Sequence, residues 1–238
     1  MLQAVFFDLD GTLLQVDMTI FIREYLGEIS EAMAPLVNPK VFAETLLVST
    51  EIMAAERQEN AINAEVFWAD FAKRLGVSRD KLQPLLDAYY AHRFNNLAGL
   101  TARCDDAIPA VQKACDLGLK IVLATNPIFP EAAVRRRMEW AGVTDLPWEL
   151  ITTFENMHYS KPSPKYYLEI ASQINVDPSR CLMVGNEVEN DIIPARAVSM
   201  STFLVFDGQN EHEAITSGTN GAGDLPAFIL WLDDICRG

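Results

Sequence analysis

Apolar residues along this chain fall into two kinds of run, and the change from one to the other predicts the architecture. Short, nearly continuous runs stand at "VFF" (5–7), "KIVLAT" (120–125), "ELITT" (149–153), "CLMVG" (181–185) and "TFLVF" (202–206). Runs of this length bounded by polar residues predict strands buried on both faces. Between the later runs lie segments with helical spacing, beginning near Asp105, Pro130, Ser163 and Asp191. Ser163 followed by Pro164 reads as a helix N-cap with its first-turn residue. Pro194 fits a helix that starts near Asp191, because first-turn amides have no intrahelical acceptor. Strands alternating with helices predict an α/β fold, a doubly wound parallel sheet with helices on both faces.

Residues 16–96 follow another rule. "MTIFIREYLGEI", "PKVFAETLLVSTEIMAAERQ", "AEVFWADFAKRLG" and "RDKLQPLLDAYYAHRF" carry apolar residues at helical spacing, with no strand pattern. Four helices interrupting an α/β pattern predict a second lobe. The expected division is a core domain of residues 1–15 and 97–238 and a helical cap domain of residues 16–96, with crossings near 14–16 and 95–100. The polar, Gly-containing stretch 207–224 reads as a surface loop.

Composition narrows the picture. Half of the 238 residues are hydrophobic, enough for a sizeable core. A formal net charge of −14 argues against a nucleic-acid surface, although a local site on an acidic protein can still be positive. Cys104, Cys115, Cys181 and Cys236 form no CxxC pair, so thiolate metal spacing is absent and buried free thiols in a reducing compartment are expected. The N-terminus has no basic start followed by an apolar stretch, and no segment reaches the ~18 apolar residues of a membrane span. A cytoplasmic protein without a membrane partner is expected. The oligomeric state is not legible.

In a parallel α/β sheet, ligands bind beyond the carboxyl ends of the strands. The first run leads into Asp8, Leu9 and Asp10, two acids one residue apart that alternation would aim the same way. Like charges that close need a positive partner. Asp10-Gly11 is a turn signal, with the Thr12 hydroxyl just past it. Such a strand end is either an exposed turn or a cation and phosphate site. Thr125 and Asn126 follow the second run, Lys161 follows the third after a short loop, and Gly185, Asn186, Glu187 and Asp191 follow the fourth. Singly, each is ordinary strand-end or turn chemistry. Together, they could converge on one crevice.

The set "DLDGTL", "LATNP", "SKPSPKYY" and "VGNEVENDI", in that order, resembles the haloacid dehalogenase superfamily. The resemblance covers the chain outside the helical insert, which is similar to the helical cap many members carry between their first and second motifs. It implies a Rossmann-like core, a Mg²⁺ cofactor and a phosphatase acting on a small phosphorylated metabolite. It makes Asp8 the nucleophile that forms an aspartyl-phosphate, and Asp10 the acid and base for the leaving oxygen and the water. It places Mg²⁺ on the Asp8 carboxylate, the main-chain carbonyl of Asp10, and the fourth motif at Asn186 and Asp191. Thr125, with Thr12 and Asn126, would bind phosphoryl oxygens, and Lys161 would offset their charge and that of the nucleophile. The second aspartate, Asp10, favours phosphoryl transfer over dehalogenation, which needs no acid for an alcohol leaving group.

One position departs from the pattern. The fourth motif commonly has an acid where Asn186 stands, and an amide brings no charge to the metal. That departure motivates a rival reading, a weakly catalytic or non-catalytic sensor of phosphate ligands. Arg135, Arg136 and Arg137 read as a solvated helix face. Trp68, Tyr89 and Tyr90 read as core of the insert, and His92, His158 and His212 have no spacing that suggests a metal cluster.

Overall fold

A computed structural model describes residues 1–55, 61–206 and 218–237. Its centre is a parallel sheet of six strands: β1 (Ala4–Phe7), β4 (Lys120–Leu123), β5 (Trp148–Ile151), β6 (Cys181–Gly185), β7 (Ser201–Val205) and β8 (Gly221–Gly223). The strand order is β5-β4-β1-β6-β7-β8. Alternation along β1 sorts the core into two layers. Val5 and Phe7 pack towards helices α5 (Ala107–Asp116) and α9 (Leu225–Arg237), whereas Ala4 and Phe6 pack towards α7 (Pro164–Gln173) and α8 (Ile193–Ala197). α6 (Glu131–Ala141) joins the first of these layers through Ala133, Val134 and Met138.

Two predicted features change. Gly221–Gly223 lies in the stretch read as a surface loop, yet it forms the edge strand β8 on β7. Its Gly-Ala-Gly sequence carries no apolar run, so the pairing depends on backbone bonds and was invisible to a hydrophobic pattern. Residues 207–217 of that stretch lie outside the described residues. Asp191 does not open an α-helix. Residues Val188–Ile192 form a π-helical turn, and α8 begins after it, with Pro194 in its first turn.

The insert contains α1 (Met18–Ala32), α2 (Pro39–Ala54), α3 (Asn63–Leu75) and α4 (Arg79–Ala88). Asp17 and Asn38 cap the first two, each carboxyl or amide oxygen accepting from two amides of the first turn. The fourth predicted helix ends early. Beyond Ala88 the chain continues as a π-helical turn (Tyr89–Arg93) and a 3₁₀ turn (Phe94–Leu100). Entry to and exit from the insert are joined as an antiparallel ribbon, β2 (Leu14–Val16) on β3 (Thr101–Arg103). Both strands are too short to have a periodicity of their own. No helix among the described residues is long and apolar enough to cross a membrane.

Candidate active site

The register of the central strands assembles the site. Phe7 stands level with Leu123 on one side and Val184 on the other, so Asp8, Ala124 and Gly185 emerge together at the carboxyl end of the sheet. The Asp8 amide donates to Val184 O at 2.9 Å and the Ala124 amide to Phe7 O at 2.7 Å, which continues the ladder one residue past each strand. Side chains at this edge are positioned by the hydrogen-bonded register of the central strands.

Asp8, Thr12, Thr125, Lys161 and Asp191 are all buried, and three of them form one ionic cluster. Lys161 Nζ donates to Asp8 Oδ1 and to Asp191 Oδ1, both at 2.6 Å. Burial is the largest influence on Asp8 and pushes its carboxyl up to about 7; Lys161 opposes that rise, and the charges of Asp191 and Asp10 add to it. Between its two carboxylates, Lys161 is held well above the usual lysine range despite burial. Thr12 Oγ1 lies 3.2 Å from Asn186 Oδ1 and 3.5 Å from Asp8 Oδ2; the shorter contact is the one its single proton can make well.

Two glycines allow these approaches. A β-carbon at Gly185 would collide with the Asp191 carboxylate. Gly11, at φ +87°, adopts a conformation L side chains rarely take, and a β-carbon there would strike the Asn186 amide. Asp191 is steered by the turn it ends: its amide donates to Glu187 O at 2.8 Å, and its Oδ2 accepts from the Glu187 amide at 3.1 Å. The Glu187 side chain is exposed and accepts from Asn190, away from the cluster.

The two acids of the first motif have different partners. Asp10 Oδ2 accepts from Arg137 Nη1, and the Arg137 side chain is 1 % exposed. This corrects the reading of residues 135–137 as one solvated face. Arg135 and Arg136 do pair at the surface with Glu131 and Glu139, but Arg137 is turned inwards. Its guanidinium also lies over the Phe129 ring, 4.4 Å from the centroid. Helical phase held the missing signal, because residue 137 is four after Ala133 and four before Ala141, both buried. Asp10 Oδ1 and Arg137 Nη2 are buried without a hydrogen-bond partner among the described residues.

The second motif is anchored through its backbone. Thr125 O accepts from Thr152 Oγ1 at 2.7 Å and from Tyr166 OH at 2.8 Å. Asn126 Oδ1 is buried and has no hydrogen-bond partner among the described residues. Asn63, at the start of α3, was not singled out by sequence. It is fully buried, and its Nδ2 donates to Pro127 O and to Ser160 Oγ, both at 3.2 Å, which ties the insert to the loops carrying Thr125 and Lys161.

Among the described residues, no group of three or more His, Cys, Asp or Glu side chains has metal-holding geometry. The oxygen donors still suit a hard cation, since Asp8 Oδ2 and Asn186 Oδ1 converge on the same hydroxyl and Mg²⁺ is commonly bound by one or two carboxylates, substrate phosphate and water. His158 pairs with Glu169, as a 2.6 Å contact. Of the cysteines, Cys181 is buried and the other three are half-buried, so the expectation of buried thiols holds for one; all four are unpaired.

Comparison with known proteins shows the family. The family model for haloacid dehalogenase-like hydrolases matches residues 2–199. Phosphoglycolate phosphatase of Psychrobacter arcticus is 22% identical, over 97% of this chain and 95% of its own. N-acetylmuramic acid 6-phosphate phosphatase of Pseudomonas aeruginosa is 26% identical, over 87% and 83%. A crystal structure described as a HAD phosphatase from Thermococcus onnurineus superposes with a TM-score of 0.59 at 20% identity, covering 97% of this chain and 98% of that one. The chain belongs to the haloacid dehalogenase-like hydrolases, as a phosphatase-like member with a helical insert between its first and second motifs.

Proposed function

We propose that this enzyme hydrolyses the phosphomonoester of a small metabolite with Mg²⁺ as cofactor, passing the phosphoryl group through Asp8. The observation that carries the reading is the buried Asp8–Lys161–Asp191 cluster at the carboxyl end of the sheet, with the Asp10–Arg137 pair beside it. Phosphatases among the relatives support the same class of substrate. Unpaired cysteines suit a reducing cytoplasm.

Each residue has a task that follows from its surroundings. The Asp8 carboxylate attacks phosphorus and forms the aspartyl-phosphate, dividing one hard displacement into two easier ones. Lys161 lends its charge to the carboxylate and then to the phosphoryl oxygens that arrive beside it. Asp10 gives a proton to the leaving oxygen and later takes one from the attacking water. Because Arg137 occupies Oδ2, Oδ1, which has no hydrogen-bond partner among the described residues, is the atom left to exchange that proton with substrate. Thr125 and Asn126 meet the phosphoryl oxygens from β4. Asp8, Asn186, Asp191 and the Asp10 carbonyl are the groups that would hold Mg²⁺, which would supply positive charge to offset that of the phosphate and carboxylates.

The rival, a phosphate-ligand sensor, is favoured by Asn186 alone, which leaves the metal one charge short of the usual set. Phosphate release from p-nitrophenyl phosphate, with Mg²⁺ and with a chelator, separates the two. The enzyme reading requires turnover that the chelator abolishes and that Asp8→Asn lacks. Binding of phosphate without turnover, in Mg²⁺, would establish the sensor.

A further inference from the structure

Between the insert and the sheet lies a cavity of about 370 Å³, within the range of small-molecule sites. Its walls are aromatic and aliphatic, with Tyr25, Phe42, Phe67, Trp68, Phe71 and Phe129 among them. Part of the lining comes from the segments after β4 and β5: Ile128, Phe129 and Pro130 on one side, Phe154 and Glu155 on the other. The cavity therefore sits over the carboxyl end of the sheet, the end that carries Asp8. Phe129 stands three residues after Asn126 in the same loop, a span of at most ~11 Å. The Phe129 ring also bears the Arg137 guanidinium that pairs with Asp10. Through Phe129 and Arg137 the cavity wall is linked to the acid/base.

The polar groups of the lining are mostly satisfied by one another. Tyr25 OH and Tyr90 OH are 2.7 Å apart and bond together. Arg79 Nε donates to Gln83 Oε1 at 3.1 Å, and Gln83 Nε2 donates to Asp87 Oδ1 at 2.8 Å. The Glu155 carboxylate accepts from the Glu131 amide, which opens α6. A sugar or other polyol placed here would leave several hydroxyls unmet, each a penalty comparable to a lost hydrogen bond. An apolar group would replace contacts that empty space denies the wall.

From this lining we infer that the cavity receives the organic part of the substrate, and that the substrate class is a phosphomonoester of an apolar, aryl or alkyl, alcohol rather than of a sugar or nucleoside. The inference rests on the phosphatase reading for its phosphoryl end and on the cavity for its organic end, and the two can fail separately.

The test is a homologous series, methyl to hexyl phosphate, with phenyl phosphate and glucose 6-phosphate, assayed for kcat/KM in Mg²⁺. Binding of the matching n-alkylphosphonates is measured in parallel by calorimetry. The expected result is a gain of about fourfold per added methylene until the cavity is filled, and hexyl and phenyl phosphate well ahead of glucose 6-phosphate. Leu46→Trp, which places an indole in the lining, should lower the hexyl-to-methyl ratio of kcat/KM. A flat series, or preference for glucose 6-phosphate, overturns the inference and leaves the phosphatase reading standing. No hydrolysis of any ester, together with phosphonate affinity that still climbs with chain length, supports the cavity and removes the phosphatase reading. Absence of both trends removes both.

Discussion

Arg137 changes what Asp10 can do. A buried guanidinium bonded to one carboxylate oxygen and packed on Phe129 holds the acid in a single orientation, with the other oxygen bare. If Arg137 works through Asp10, the two residues share one signature: loss that grows with the basicity of the leaving group. Asp10→Asn and Arg137→Met should each hurt alkyl phosphates more than p-nitrophenyl phosphate, with Arg137→Met costing on the order of 10²-fold on the alkyl ester. The double variant should be little worse than Asp10→Asn alone. Arg137→Lys keeps a charge and should recover part of the loss. Equal losses on both esters, adding in the double variant, would make Arg137 a structural residue only. Asp8 brings a second residue-scale consequence. With its carboxyl raised to about 7, a proton competes with the cation for the same oxygens below that pH. Raising the pH from 6 to 8 removes the proton, so Mg²⁺ should bind about tenfold more tightly at pH 8, releasing fewer protons there. Asn186→Asp adds the missing charge and should tighten Mg²⁺ further. Calorimetric titration reads both, and affinity that ignores pH and the substitution would place the cation elsewhere.

Elements differ in how legibly the chain wrote them. Strands β1, β4, β5, β6 and β7 announce themselves because a strand buried on both faces must be apolar throughout, and the predicted runs fall within two residues of the observed ends. β8 has no such constraint: it is an edge, its residues are glycines and an alanine, and its partner β7 supplies the order. Arg137 was hidden for the opposite reason. Three arginines in a row suggest solvent, and only their phase on α6 separates the buried one from its neighbours. Neither a run nor a motif marks Asn63, since its role exists only once α3 meets the loops at Pro127 and Ser160. Asn63→Ala deletes both bonds and leaves buried acceptors unmet, a loss of about 1–3 kcal/mol in the docking of the insert. The amides of Asn63 and Ala64, which donate to Met157 O and Phe154 O, should then exchange faster with solvent. Unchanged exchange in the variant would mean that the aromatic packing around α3 alone seats the insert.

At the scale of the whole molecule, a sheet edge and a helical insert divide the work. The sheet positions the ionic cluster through strand register, and the insert closes a largely apolar space above it. Order of motifs along the chain was enough to foresee the first part, because each strand end must deliver its polar residues to the same crevice. It could not foresee the second, whose lining comes from helices of the insert and from segments after β4 and β5 distant in sequence. What unites both is the claim that Asp8 takes the phosphoryl group, and acid-quenched turnover tests it most directly. Protein mixed with substrate and Mg²⁺, quenched in acid during the steady state and digested, should carry one phosphoryl group on the peptide that contains Asp8, and Asp8→Asn should carry none. An unmodified Asp8 peptide, with Asp8→Asn turning over at the native rate, would contradict the account.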